Sequence, residues 1–384
     1  MKTISKLGAA VAAVTLAFAL GACSDGTETT DPTDPGTGTE TELSAEAQAA
    51  LDAAFAGIGS ELADLEPSEP EAGLNFYVMS CGESNATCAA PAAAMVDAAE
   101  AAGWTGTIVD GKLSPEGFAT AIRQAVAGGA DVLVPVGISC SAAAAAFQEA
   151  HDAGVVIVGG GGQDDCDTPL WDSERLWLED APVPTTFHAI GKLQADYTFG
   201  KNNGDVKAVV VNMTSQPWGQ LVTDAYSAEL EALGSGEVLA QVDISDPESA
   251  DGSYIQKIVG ALQANPTVNS LVIPTDAYFV NGLAAAIDQA GLADQVVSVG
   301  GFGSEAALDM IRAGQPGITA SVGQAQIWEA WGSIDTAIRV MNGQDPAYIG
   351  QSVQVVDADN NLPASGPYDG SIDWKSKFLA AWGK

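Results

Sequence analysis

Five cysteines and two histidines are the residues of this 384-residue chain best suited to nucleophilic, redox or metal chemistry. His151 lies in AFQEAHDAG (146–154), which reads as a helix end, where an imidazole suits the carbonyl-rich terminus. His188 opens another helix. Neither has a Ser or Cys and an acid at a spacing that marks a nucleophilic triad, so no catalytic group and no enzyme activity is expected. Cys81, Cys88, Cys140 and Cys166 are even in number, and in an oxidising compartment they read as two disulfides with three connectivities. Cys81 with Cys88, across a short loop, is the expected pair, which leaves Cys140 with Cys166. Zinc is the rival, but no spacing is CxxC, so no metal is expected.

Two glycine-rich stretches could hold phosphates. Gly301-Phe302-Gly303-Ser304-Glu305-Ala306 fits GxGxxA between a strand and a helix. The next strand ends without an acid for a ribose, and the motif lies late in the chain, so no dinucleotide is expected. Gly159–Gly162 lacks a following Lys-Ser/Thr and precedes acids. Its glycines serve close backbone approach to something beside them. Asp357-Ala358-Asp359-Asn360-Asn361 begins like a calcium loop, but Leu362 and Tyr368 stand where Gly and the bidentate Glu belong, and a turn is expected. No cofactor is expected.

The compartment is read from the N-terminus. Lys2 and Lys6 precede Leu7–Leu20, an apolar run too short to span a bilayer and right for a signal peptide. It ends in Leu20-Gly21-Ala22-Cys23, which resembles the lipobox of bacterial lipoproteins. The resemblance implies cleavage after residue 22 and lipidation of Cys23, whose two acyl chains would give stable anchoring. Residues 23–44 hold Thr, Asp, Glu, Pro and Gly with almost no large apolar side chain, and read as a disordered acidic tether. The chain carries a net charge of −36, with only 14 basic residues. That argues against nucleic acid and against electrostatic binding to anionic lipid. The expected location is extracytoplasmic, on the outer face of the cell membrane or in the periplasm, with the lipid as the only membrane contact.

The elements that would position a site begin after a first helix at 45–65, within an N-terminal segment of residues 45–71. Apolar strands are expected at Leu74–Met79, Gly106–Val109, Val132–Val136, Val155–Gly159, Val206–Asn212, Glu237–Val242, Ser270–Pro274, Val296–Val299 and Ile318–Val322. Helices fall between them, at 90–102, 116–127, 141–153, 188–203, 218–233, 253–264, 278–290, 304–313 and 325–342. The strands are continuous apolar runs, hence buried on both faces, and the alternation predicts parallel sheets. Ser114-Pro115 starts one helix, and Gly103, Gly128, Gly154, Gly291 and Gly314 follow the ends of others. Asp164–Pro184 has no period and reads as a long loop between two βα lobes. A strand at Ser352–Val356 and a helix at Trp374–Trp382 close the chain.

Ligands of open parallel sheets sit beyond the carboxyl ends of the strands. Those ends hold Ser80, Glu83 and Asn85, then Ser139, Gln163 and Asp164, in the first lobe. In the second they hold Gln216, Trp218, Asp276, Tyr278 and Phe302, with Gln324 and Trp328 at the return to the first lobe. Trp171, Trp177, Trp218 and Trp328 lie on or near these loops, and an indole suits the apolar face of a pyranose. Trp331 and Trp382 read as packing.

Five stretches resemble the type 1 periplasmic binding proteins, in particular the sugar-binding branch serving ABC importers. They are GGADVLVPVG (128–137), AHDAGVVIVG (150–159), IPTDAYFVNGLAAAIDQAG (273–291), VVSVGGFGSEAALDMIRAG (296–314) and ITASVGQAQ (318–326). The resemblance runs from about Leu74 to Asp345. It implies an α/β fold of two Rossmann-like lobes with parallel sheets joined by a hinge: 72–187 with 325–350, and 188–324 with 351–384. By position, Asp276 matches the acid that takes sugar hydroxyls and Gln324 the hinge Gln. The chain departs elsewhere. Gly159–Gly162 stands in place of the first-lobe acid, for which Asp164 or Asp165 would substitute from a longer loop. Ser80–Asn85 replaces an aromatic pair, the second-lobe Arg after Met213–Gln216 is missing with Trp218 nearby, and the acid at Phe302-Gly303 is missing. The expectation is a monomeric, lipid-anchored solute-binding protein that captures a small polar ligand, a sugar, by hinge closure for ABC permease subunits. A sensor component for a membrane kinase and an extracellular hydrolase are the alternatives.

Overall fold

A computed structural model describes residues 42–214 and 217–384. The signal segment, Cys23 and most of the tether lie outside the described residues, as does Gln216. The chain runs through α1 (Ala45–Ala56), β1 (Asn75–Ser80), α2 (Ala86–Ala102), β2 (Thr105–Asp110), α3 (Pro115–Ala127), β3 (Val132–Pro135), α4 (Ala144–Asp152) and β4 (Val156–Ile157). After a long irregular segment come α5 (Thr186–Lys201), β5 (Lys207–Met213), α6 (Pro217–Ala232), β6 (Glu237–Ile244), α7 (Asp246–Asp251), α8 (Tyr254–Ala264) and β7 (Ser270–Val272). The last elements are α9 (Ala284–Gln289), β8 (Val297–Phe302), α10 (Glu305–Arg312), β9 (Ala320–Gln324), α11 (Gln326–Met341), β10 (Val353–Asp357) and α12 (Trp374–Ala381).

These form two sheets in two lobes. The first has strand order β2-β1-β3-β4 and is wholly parallel; the second has order β10-β9-β8-β7-β5-β6. In the second, only β10 runs antiparallel, with Val353 opposite Gln324. The edge strands β2 and β6 are partly exposed, whereas strands β3, β7, β9 and β10 are buried along their whole length. This is why their sequences are continuous apolar runs with no alternation.

Helix packing on the second sheet depends on two close approaches. A Cβ on Gly191 of α5 would lie 2.1 Å from the Val222 carbonyl oxygen of α6. One on Gly200 would lie 2.8 Å from the Ala47 carbonyl of α1. Glycine at both places lets α5 sink between α1 and α6, and its residues Ala189–Ile190 and Leu193–Gly200 are buried.

Three expectations are corrected. The first helix ends at Ala56, not 65, because Gly57, whose N–H makes the last helical bond to the Ala53 carbonyl, takes φ +70° and ψ −165° and turns the chain out of the helix. It precedes the first lobe in the chain and packs on second-lobe α5 and β10. The C-terminal helix was expected in the second lobe. α12 instead lies on α11, which packs on first-lobe α2. Trp374 stacks on Trp328 at 6.3 Å, and the Trp382 indole N–H donates to Asp335 at 2.9 Å. Asp335 also holds Arg339, whose Nη2 donates to the Glu66 carbonyl, so the segment after α1, α11 and α12 share one buried ionic knot. The expected helix at 278–290 opens with a wide, π-type turn, Phe279–Leu283, broken at Gly282 with φ +114°. A helix not foreseen, α7, starts with the box Ser245–Glu248, whose carboxylate accepts from the Ser245 N–H.

Asp357–Asn361 is a turn, as expected. Asp357 Oδ1 accepts from the backbone of Asp359 and Asn360 and from the Asn360 amide.

Candidate ligand-binding cleft

Three aromatic side chains gather where the second lobe's strands end. Phe187 stands in the first turn of α5, Trp218 in the first turn of α6 and Phe302 at the end of β8. Phe187 stacks on Trp218 at 5.9 Å, and Phe302 meets Trp218 edge-on at 5.3 Å. All three remain partly exposed. Phe302 has φ +82°, which a bulky side chain adopts only under constraint. The constraint is visible next door, where Gly303 follows at φ +65° and donates its N–H to Ser321 Oγ at 3.1 Å. A Cβ on Gly303 would meet the Gly323 and Tyr368 carbons at 2.8 Å, so this backbone is locked between neighbours. Trp218 and Phe302 are the expected residues. Phe187 was missed, although Thr185-Thr186-Phe187 opening a helix after the long loop marks the place.

A polar cluster sits where the chain crosses between lobes. Gln324 ends β9, Glu329 lies in the first turn of α11, Gln351 precedes β10, and Arg175 comes from the long irregular segment. Glu329 Oε1 pairs with Arg175 Nη2, with both side chains little exposed, at 11% and 14%. Glu329 Oε2 accepts from the amides of Gln324, at 3.2 Å, and of Gln351. The Gln324 amide also reaches Thr186 Oγ1 at 3.3 Å. The backbone of Gly161, at the end of the first sheet, faces Glu329 Oε1. Four buried polar atoms of this cluster have no partner in the chain: Arg175 Nε and Nη1, and the side-chain oxygens of Gln324 and Gln351. Buried polar groups are paired in nearly every protein, because an orphan costs about 1–3 kcal/mol. Here four such orphans fall in one cluster. Arg175 and Gln351 carry no local sequence signal, because their partner is far away in the chain.

The expected second-lobe acid is used differently. Asp276 is buried, with Oδ2 accepting from the Ser304 N–H at 2.8 Å and Ser321 Oγ at 3.2 Å, and Oδ1 from Ser304 Oγ at 2.9 Å. Burial pushes its carboxyl up to about 6. The side chain ties β7 to the start of α10, and both oxygens are occupied. Tyr278 stacks on Tyr254 at 4.1 Å and shares a hydrogen bond with Ser249. Trp328 is fully buried between Trp374 and Gly350, with its N–H on the Ile349 carbonyl at 2.8 Å. Tyr278 and Trp328 are packing residues. Trp171 packs on Phe147, and the Trp177 N–H caps the Gln351 carbonyl.

The first-lobe rim is stapled. Cys81–Cys88 and Cys140–Cys166 both form, the expected pairing. Asp164 lies within reach of the second bridge, but both sulfurs there are consumed by it. Asp164 Oδ2 accepts from the backbone of Leu170 and Trp171, while its Oδ1 is buried without a partner. Asp165 binds Ser141 through both oxygens, which holds its carboxyl below the usual range. The Ser139 hydroxyl accepts from the Gln163 N–H, Asn85 caps α2, and the Glu83 N–H is held by Asp110. Ser80 Oγ is buried and orphaned at the end of β1. So the expected first-lobe residues lie together on one rim, with most polar groups turned to their own loops.

Two surface hollows, of about 360 and 440 Å³, lie elsewhere: one between α6 and β6, the other beside the π-type turn and α10. Neither draws residues from both lobes. No helix among the described residues is long and apolar enough to cross a membrane.

The structure resembles an ABC sugar transporter subunit from Rhodobacter sphaeroides 2.4.1, with a TM-score of 0.61 and 17% identity over 75% of this chain and 99% of that one. It resembles an ABC transporter solute binding protein from Bradyrhizobium sp. BTAi1, solved with bis-tris, with a TM-score of 0.64 and 16% identity over 80% and 90%. It also resembles the 5-methylthioribose transporter solute binding protein from Thermotoga lettingae TMO, with a TM-score of 0.63 and 15% identity over 83% and 96%. No curated protein matches the chain by sequence. The family described as periplasmic binding protein domain matches residues 76–345, most of the chain and both lobes. The chain therefore belongs to the periplasmic binding proteins, a family that binds solutes outside the cytoplasm and does not catalyse reactions.

Proposed function

We propose that this protein captures a sugar between its lobes and presents it to the permease of an ABC importer. The carrying observation is the pairing of an aromatic surface with orphaned polar atoms at the strand ends. Phe187, Trp218 and Phe302 offer an apolar face, and the cluster around Glu329 offers free donors and acceptors. A pyranose or furanose has both characters, apolar on its C–H face and polar at its edge. The 5-methylthioribose of the Thermotoga protein is a ligand of that kind. Closure of the lobes hides the ligand from water, and the closed form is what the permease recognises.

The protein acts as a monomer held to the membrane by lipid on Cys23. The support is the run from Lys2 through Leu20-Gly21-Ala22-Cys23. Labelled fatty acid should enter the wild-type chain and not a Cys23→Ser variant.

The function is tested by thermal unfolding of the full chain against a panel of sugars, polyols, nucleosides and amino acids. A ligand at one hundred times its Kd stabilises by about 2.7 kcal/mol, a readable shift. Stabilisation by nucleosides or amino acids alone, with none by sugars or polyols, would discard the sugar reading.

A further inference from the structure

We propose that Glu329 is the specificity-determining residue of the cleft, an internal counter-ion that makes the site take neutral polyols and reject sugar acids. The inference rests on the sugar-binding reading above and deepens it.

Arg175 is the guanidinium of the cluster, and a buried guanidinium is the natural seat for a ligand carboxylate. Here Glu329 already occupies that role. Its Oε1 pairs with Arg175 Nη2, and its Oε2 holds the amides of Gln324 and Gln351. The charge of the little-exposed Arg175 is thus cancelled within the chain. The carboxylate also fixes the orientation of both glutamines. An amide nitrogen must face an anion, so each carbonyl oxygen points to the other side of its group. What remains unpartnered is Arg175 Nε and Nη1, two donors, and the Gln324 and Gln351 oxygens, two acceptors. Gln324 and Gln351 are themselves 4% and 0% exposed.

Two donors and two acceptors with no net charge are the complement of hydroxyl groups, each of which both gives and accepts. A carboxylate only accepts. It would satisfy the Arg175 donors while setting its oxygens against the Gln carbonyls and the Glu329 anion, in a place with little water to screen them. Glu329→Gln removes the counter-ion, keeps the shape and leaves the Arg175 charge without a partner. That variant should recruit the carboxylate the wild-type chain excludes.

The test is calorimetric titration of the full chain, wild type and Glu329→Gln, at fixed pH and salt. Neutral probes are D-glucose, D-galactose, D-allose, L-arabinose and myo-inositol; acidic probes are D-glucuronate, D-galacturonate and D-gluconate. The wild type should bind a neutral sugar at least tenfold more tightly than the acid of the same skeleton, and this ratio needs no variant. Glu329→Gln should shift that ratio at least tenfold towards the acid. A wild type that binds the acid as tightly as the neutral sugar overturns the proposal and leaves the sugar-binding function standing. A folded Glu329→Gln with an unchanged ratio does the same. Heat from none of the probes would overturn this proposal together with the function it rests on.

Discussion

The two rims of the cleft are held in different ways. The first-lobe rim carries two disulfides, and its polar side chains are spent on its own loops: Asp164 on Leu170 and Trp171, Asp165 on Ser141, Ser139 on Gln163. The second-lobe rim has no bridge. It is ordered by aromatic packing, by the buried Asp276 on Ser304 and Ser321, and by the constrained turn at Phe302-Gly303. A covalent staple constrains the unfolded chain, whereas packing stabilises the folded one, so the two rims should fail under different insults. The first rim serves as a preordered wall. The second leaves its three aromatic faces partly exposed.

The largest expected effect lies between the rims. Trp328→Ala should cost about 3–5 kcal/mol in chemical denaturation, because the indole is fully buried at the start of α11. An unchanged midpoint, with binding lost, would return Trp328 to the ligand surface and blur the comparison. Next comes the staple. Replacing Cys140 and Cys166 by Ser opens a loop of 26 residues and should cost about 3.5 kcal/mol on chain-entropy grounds. The same change at Cys81 and Cys88, separated by 7, should cost about 2.4 kcal/mol. Equal losses for both would argue that strain or residual structure, and not loop closure, governs this rim.

A smaller effect depends on pH. The Asp276 carboxyl is raised to about 6 by burial, above its unfolded value of about 3.9. Its favourable contribution is therefore complete below about pH 4 and is lost as the pH rises through about 6. Asp276→Asn keeps the acceptor for the Ser304 N–H and does not ionise. Relative to wild type it should gain stability between about pH 4 and 6 and level off above, and parallel stability curves would show that the folded-state carboxyl titrates as it does in the unfolded chain. The smallest expected effect on stability is at Trp218, which is partly exposed. Trp218→Ala should lower sugar affinity roughly tenfold, the loss of one stacking contact worth about 1.4 kcal/mol. A stability loss as large as that at Trp328, with affinity intact, would make the second rim a piece of core and end the contrast.

Much of the fold was legible because local signals agreed. Ser114-Pro115 opens α3, the glycines close their helices, and apolar strand runs recur at regular spacing. Trp218, Phe302 and Gln324 lie at strand ends or the helix starts that follow them, as expected, because those ends are predictable from the elements. Other roles were hidden for a physical reason. Asp276 turns inward because Ser304 and Ser321, 28 and 45 residues away, supply its donors. Arg175 lies in a stretch with no period, and its meaning comes from Glu329, which no spacing rule connects to it. The position of α12 was misread because an amphipathic pattern says that a face is buried, not which lobe buries it.

The placement of α11 and α12 has a consequence for how the protein is made. The first strands to leave the ribosome, β1 to β4, cannot complete their lobe until the last ones have been synthesised. α2 has no α11 to lie against until translation has passed Met341, and Asp335 has no Trp382 to close on until α12 has been made. The order of synthesis and the order of assembly therefore diverge. A nascent chain of this design stays unfinished throughout elongation, a state suited to passage across a membrane before folding. Loss of about a dozen residues at the carboxyl end would cripple the lobe that was made first.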